Sequence, residues 1–288
     1  MSHSLIYCED TWPELGVTHH WKNVTSIQSM NTKRGIHVEM VERPNWGITC
    51  YMDNTIQSCE KDEKIYHEAL VHPVMASFFA RKRVMVVGGG EGAVIREVLK
   101  WPEVENVDMY EWDEDIVQLF KEKYPQWAKG AWNDPRLTIH YEDIFEAIKG
   151  VPKKKYDIII IDLFDYTEEK KESLSIFFEH LSFWLYEAGS FVIYAGMRSM
   201  LSKVQPYTQL TDLIINSPLQ ISGIDKMFYP HSIYNREIIP YKVYIPSFQG
   251  EATFLLCKSR VSTITFESMK TISHITKDVW KSYKTFNW

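Results

Sequence analysis

The chain has 288 residues, 45% hydrophobic and 24% charged, with a net charge of −6. These values suit a globular protein with one large domain, or one plus a small one, and the lack of any long lysine or arginine run argues against a nucleic-acid partner. No apolar run approaches the ~20 residues that span a bilayer, the opening "MSHSLIYCED" lacks signal-peptide character, and Cys8, Cys50, Cys59 and Cys257 form no C-x-x-C pair, so a cytoplasmic protein with reduced thiols, no metal and no membrane contact is expected.

Residues 1–65 hold short alternating segments such as "GIHVEMVE" and "GITCYMD", separated by "RPNWG" and "MDN". They read as a small N-terminal domain of antiparallel strands. "EKIYHEALVHPVMASFF" follows with apolar residues at helical spacing. From residue 83 strands and helices alternate: strands at 83–87, 106–111, 136–140, 156–162 and 189–195, helices at 92–100, 113–124, 143–149 and 173–186. "YDIIIID" is apolar on both faces, as in a central parallel strand. The alternation predicts an α/β fold with a doubly wound sheet. "KVYIPS" and "ATFLLCKS" read as a late antiparallel pair, and 261–288 as a C-terminal extension without a clear pattern. The α/β domain is accordingly bounded at 66–260.

A glycine loop, Gly88-x-Gly90-x-x-Ala93, follows a strand and opens a helix. That context lets backbone approach a nucleotide closely. Glu111 ends the next strand, 21 positions after Gly90, where an acid takes both hydroxyls of a ribose. Asp143 follows "RLTIHYED" and suits either an adenine amino group or a helix N-cap. These features point to an adenosine-containing ligand. Glu91 lies inside the loop that would otherwise receive a pyrophosphate. A carboxylate there repels phosphate, so an inward Glu91 calls for a cationic ligand such as a sulfonium nucleoside bearing an amine. Turned outward, the same acid would suit the first turn of a helix.

Asp162 and Asp165 close the central strand in "YDIIIIDLFDY", and two carboxylates three residues apart suit one cationic amine. A strand-end acid and a helix cap are the structural alternatives; the carboxyl end of a central strand favours ligand binding. "TEEKKE" reads as a mobile polar loop. The phenol of Tyr66 suits orientation of an amine, or packing at an interface.

Taken together, "YMDNTIQSCEKDEKIYHEALVHP", "VVGGGEGAVIREVL", "YEWDEDIV", "YDIIIIDLFD" and "YIPSFQGEATFLLC" resemble the polyamine aminopropyltransferases, the spermidine and thermospermine synthases. "YHEALVHP", "GGGEGA", "DLFD" and "IPSF" are more similar to the thermospermine branch. The resemblance covers roughly residues 20–258 and implies a Rossmann-like, class I methyltransferase-type domain behind a small N-terminal β domain, assembled as homodimers or homotetramers. It implies decarboxylated S-adenosylmethionine as donor, a polyamine as acceptor and no tightly bound cofactor. By position, it implies that Asp162 is the general base and that Tyr66 and Asp165 hold the attacking amine. It places Gln57 near the methionine-derived part of the donor and Glu91 on its amine. Gly88 and Gly90 belong to the donor loop, Glu111 to the ribose, Asp143 and Ile144 to the adenine, and Phe248 to the acceptor. Three positions depart from the family pattern. His37 and Tyr194 stand where glutamines are usual, and Tyr166 replaces a proline. A methyltransferase using intact S-adenosylmethionine, and a catalytically inactive polyamine- or nucleoside-binding relative, are the competing readings; a nicotinamide oxidoreductase is disfavoured by Glu91.

Overall fold

The computed structural model describes residues 5–12, 17–163, 165–199, 205–216, 236–260, 262–269 and 272–286. Phe164, within the "DLFD" motif, and parts of both terminal segments lie outside them. The chain folds as two units, residues 1–66 with 244–250, and residues 67–243 with 251–288.

The smaller unit is built on a five-stranded sheet in sequence order: β1 (Leu5–Trp12), β2 (Val17–Asn31), β3 (His37–Arg43), β4 (Gly47–Met52) and β5 (Thr55–Cys59). All its pairings are antiparallel. Both faces of β3 carry buried side chains, Val38 and Met40 on one and Val41 and Arg43 on the other, while Glu42 is exposed. Arg43 is buried with its guanidinium 3.4 Å from the Trp21 ring centroid and 4.9 Å from that of Trp46, a cation held by two aromatic faces. The tight turn at Asp53–Asn54 takes positive φ at both residues, which these side chains tolerate.

Helix α1 (Glu63–Ala76) runs across the division between the units and contains Pro73. Proline has no N–H, so the carbonyl of Ala69, four residues earlier, loses its helical donor. The buried Tyr241 hydroxyl donates to it instead at 2.8 Å. His72, fully buried, contacts Glu97 at 2.9 Å and accepts from Trp101 Nε1 at 3.1 Å. Glu97 also takes Arg96 and Lys100. Those cations and His72 hold its carboxyl well below the usual range, against its burial.

The large sheet has seven strands in the order β11-β12-β10-β9-β6-β7-β8. They are β6 (Arg83–Gly88), β7 (Asn106–Tyr110), β8 (Leu137–His140), β9 (Tyr156–Asp162), β10 (Leu185–Arg198), β11 (Arg236–Ile245) and β12 (Gly250–Ser259). From β8 to β10 the neighbours are parallel, and β12 is antiparallel to β10. Ile158, Ile159, Ile160 and Ile161 are all fully buried, because helices cover both faces of a parallel sheet. Helices α5 (Lys171–Trp184) and α6 (Pro206–Asn216) supply Phe177, Phe178, Leu181, Leu210 and Ile214 to the layer that takes Val87, Ile159, Ile161 and Ile193. Helices α2 (Ala93–Leu99), α3 (Glu114–Lys123) and α4 (Ile144–Ala147) follow β6, β7 and β8, and the short α7 (Phe266–Met269) and α8 (Lys277–Tyr283) lie in the C-terminal segment.

Several expected boundaries shift. Strand β10 extends both ways beyond 189–195, since its first residue, Leu185, already pairs with Tyr156. The "TEEKKE" stretch is a 3-10 turn (Glu168–Lys170) leading straight into α5. Glu168 organises it, taking the Tyr166 hydroxyl and Gln209 Nε2, each at 3.1 Å. "IPSF" leaves the strand after Ile245 as a 3-10 turn, because Pro246 cannot donate to a ladder.

Candidate active site

The chain visits β6, moves outward through β7 and β8, then returns to the other side of β6 as β9. The sheet therefore reverses its winding between β6 and β9, and the carboxyl ends of these strands border the crevice where such folds take ligands. Register puts Gly88 opposite Asp162 and Val87 opposite Ile161, with Ile193 of β10 beside Ile161. The glycine loop, Asp162 and the start of the Asp165 segment thus leave one edge of the sheet together.

Gly88 has φ +79°, and a Cβ there would lie 2.1 Å from the carbonyl oxygen of Asp162. No side chain fits, so this glycine first serves the close approach of two strand ends. A Cβ on Gly90 would meet Ile116 Cγ2 at 2.9 Å and Glu111 Oε2 at 3.2 Å. The bare backbone at Gly90 therefore sits directly beside the acid that ends β7.

Glu111 is buried, and its Oε1 accepts from Asp113 N at 3.0 Å. Burial pushes its carboxyl up to about 7; the charges of Asp113 and Asp162 add to the rise, and backbone donors at Asp113 and Trp112 oppose it. Asp113 is the N-cap of α3, accepting from Asp115 N at 3.1 Å, while its buried Oδ2 has no protein partner. Because Glu111 titrates above the 4.5 of an ordinary glutamate, its protonated form favours folding. That contribution is present below about 4.5 and lost as pH rises through about 7. Glu111→Gln should therefore raise Tm at pH 8 by several degrees, each kcal/mol being worth about 2–4 °C in a domain this large, and change it much less at pH 5. Scanning calorimetry at the two pH values checks this, and an equal shift at both would contradict it.

Glu91 faces His67: Oε1 and Nε2 are 2.6 Å apart, with the side chains 11% and 4% exposed. The loop acid is therefore turned inward. Helical periodicity does not single out His67, because its partner lies 24 positions away. Asp143 caps α4, accepting from Phe145 N at 2.9 Å, and remains exposed beside the buried Ile144. Asp162 is half-buried and Asp165 exposed. The Tyr194 hydroxyl bonds to Asp165, and burial, then the charges of Asp165 and Asp162, push that phenol's pKa well up. The tyrosine at a usual glutamine position thus supplies a donor to the second aspartate.

In the smaller unit, Tyr66 is buried against Phe248, ring centroids 6.1 Å apart. The turn carrying Phe248 is fixed by Ser247 N donating to Asp62 Oδ2 at 2.7 Å. Gln57 is exposed on β5, its Nε2 donating to the Thr55 carbonyl at 3.2 Å. His37 is tied into its own hairpin by Asn31 Oδ1 at 2.9 Å and, through its N–H, Asp53 Oδ1 at 3.0 Å. Cys50, Cys59 and Cys257 are buried thiols outside any disulfide. Among the described residues no helix is long and apolar enough to cross a membrane.

A parallel sheet reversing between β6 and β9, with a glycine loop and strand-end acids at the reversal, defines the Rossmann-like, methyltransferase-type class of nucleoside-binding folds. Two solved spermidine synthases share it across the whole chain. One, from Thermotoga maritima, has a TM-score of 0.78 at 21% identity over 92% of its length; the other, in complex with the transition-state analogue AdoDATO, has 0.82 at 22% over 93%. Residues 63–211 match the family described as spermine/spermidine synthase domain. A polyamine aminopropyltransferase of Pyrobaculum aerophilum is 33% identical over 239 residues, 81% of this chain and 75% of that protein. Polyamine aminopropyltransferase 1 of Hyperthermus butylicus is 45% identical over 122 residues, 42% of each chain. The chain belongs to the spermine/spermidine synthase family.

Proposed function

We propose that the chain transfers the aminopropyl group of decarboxylated S-adenosylmethionine to an amine of putrescine or spermidine, releasing methylthioadenosine. Spermidine, or thermospermine or spermine, is the other product. The observation that carries this reading is the inward Glu91, held by His67 in the glycine loop, in a chain that aligns over most of its length with a polyamine aminopropyltransferase. In a nucleoside site that carboxylate suits the donor's amine and repels the carboxylate of intact S-adenosylmethionine.

In this reading Glu111 takes the ribose hydroxyls, Asp143 and Ile144 border the adenine, and Gly88 and Gly90 give the backbone access the donor needs. Gln57 is assigned the methionine-derived part of the donor. Tyr66, Asp165 and Phe248 are assigned the acceptor. A polyamine amine is protonated at neutral pH, with a pKa near ~10 by analogy with lysine, and cannot attack while its lone pair holds a proton. Asp162 removes that proton. The freed nitrogen attacks the aminopropyl carbon bonded to sulfur; the C–N bond forms as the C–S bond breaks, and the bonding pair leaves on sulfur as a neutral thioether. The sulfonium is already activated, so the protein contributes alignment and proton removal. Similarity of "GGGEGA", "DLFD" and "IPSF" to the thermospermine branch favours spermidine as acceptor. A cytoplasmic location and a homodimer or homotetramer belong to the same reading, the latter read by light scattering.

The test is incubation with decarboxylated S-adenosylmethionine and a panel of polyamines, with chromatography of products. Stoichiometric methylthioadenosine and a lengthened polyamine are expected. Methylated product from intact S-adenosylmethionine would replace this reading with a methyltransferase.

A further inference from the structure

Helix α1 carries His67, Glu68 and Ala69 in succession, and each is held by a different partner. His67 meets Glu91. Glu68 Oε2 accepts from the backbone N–H of His274 at 2.9 Å and lies 2.5 Å from its Nδ1, while Nε2 of the same ring is 2.8 Å from the Tyr283 hydroxyl. Ala69 gives its carbonyl to Tyr241, whose ring packs 4.8 Å from that of Trp280. Trp280 and Tyr283 are buried residues three apart on α8, so they share a face. The C-terminal segment therefore reaches this turn of α1 twice, directly at Glu68 and through Tyr241 at Ala69.

Pro73 gives these bonds their importance. An uninterrupted helix would hold its own turn with i→i−4 bonds, but the bond at Ala69 is missing. Outside partners then set the rotation of that turn. Adjacent side chains on a helix are about 100° apart in direction, so fixing Glu68 on one side directs His67 on the other. The remainder of the segment is anchored independently: Met269 and Ile275 are buried, and Thr265 N donates to the Ala76 carbonyl at 3.2 Å.

We propose that His274 is a positioning residue for donor binding: with α8 behind it, its grip on Glu68 sets the rotation of α1 that brings His67 onto Glu91. The proposal rests on the reading that Glu91 holds the donor's amine. It makes the C-terminal segment part of the donor site's support, although none of its residues need touch the ligand.

The test uses the full chain with His274→Ala and His274→Asn, the asparagine amide standing in for Nδ1. Calorimetry should show the Kd for decarboxylated S-adenosylmethionine rising about tenfold in His274→Ala, the order expected for misplacing one charge-assisted hydrogen bond. His274→Asn should restore it, and methylthioadenosine, which has no amine, should bind all three proteins alike. In parallel, the ¹⁵N imidazole resonances of His67 in ligand-free protein should move in His274→Ala and return in His274→Asn. Equal loss of both ligands, or unchanged His67 resonances in a folded His274→Ala, would overturn the proposal. Failure of the wild-type protein to bind decarboxylated donor would overturn the functional reading instead, and the resonances would still decide the positioning. Should His274→Ala fail to fold, Tyr283→Phe, which removes only the hydroxyl behind His274, carries the same comparisons.

Discussion

Asp162→Asn is expected to lower kcat by about 10²–10⁴-fold, the usual contribution of a positioned general base, while Tm stays within a few degrees of wild type. The amide keeps the size and hydrogen-bonding reach of the carboxyl but cannot accept a proton from an alkylammonium. The position favours a clean result. Asp162 is the last residue of β9, half-buried, and it pairs in register with Gly88 through backbone, which the substitution leaves intact. Donor affinity should change little, because the proton is removed from the acceptor. Raising pH should partly rescue the variant, since a larger share of the amine then arrives deprotonated. Single-turnover kinetics with saturating donor and polyamine isolate the step, and near-normal transfer by Asp162→Asn would remove the residue from its role.

Glu91→Ala is expected to raise the Kd for decarboxylated donor by roughly 10–150-fold, the loss of a charge-assisted hydrogen bond of ~1.5–3 kcal/mol. Affinity for methylthioadenosine should hold, as it lacks the amine that Glu91 would meet. Stability is affected less, though not spared, because Glu91 is also the partner of the buried His67. Glu91→Gln separates the two effects. It keeps a hydrogen-bonding group for His67 and removes the charge, so it should recover most of the lost Tm and little of the lost donor affinity. Calorimetry with both ligands, beside thermal melts, reads each quantity. Unchanged affinity for the decarboxylated donor in Glu91→Ala would remove this acid from the site.

Much of the larger unit was legible because its signals are local. The run of isoleucines marks β9 over 156–162, just as the structure has it, since only a strand covered on both faces is apolar at every position. That the glycine loop, Glu111 and Asp143 follow strands was readable from spacing, because the βα repeat places strand ends at regular intervals. What escaped depends on distant partners. His67 needs Glu91, Glu68 needs His274, and Ala69 needs Tyr241, 172 positions away. Periodicity finds none of these pairings. The C-terminal segment had no readable pattern for the same reason: α8 is only seven residues long, and its two buried rings are defined by what they meet. Glu168 turned an expected loop into an ordered turn through Gln209, 41 positions on. His37 is the reverse case. It departs from the family pattern, and its bonds with Asn31 and Asp53 give it a hairpin role.

The central claim is that the carboxylate in the glycine loop selects a nucleoside bearing an amine and no carboxyl group. Paired calorimetric titrations of the wild-type chain with decarboxylated and intact S-adenosylmethionine test it most directly. The account predicts that the decarboxylated donor binds about 100-fold more tightly or better, the several-kcal/mol scale of like-charge contact in a partly dry site. Equal affinity, or preference for the carboxylated form, would contradict it.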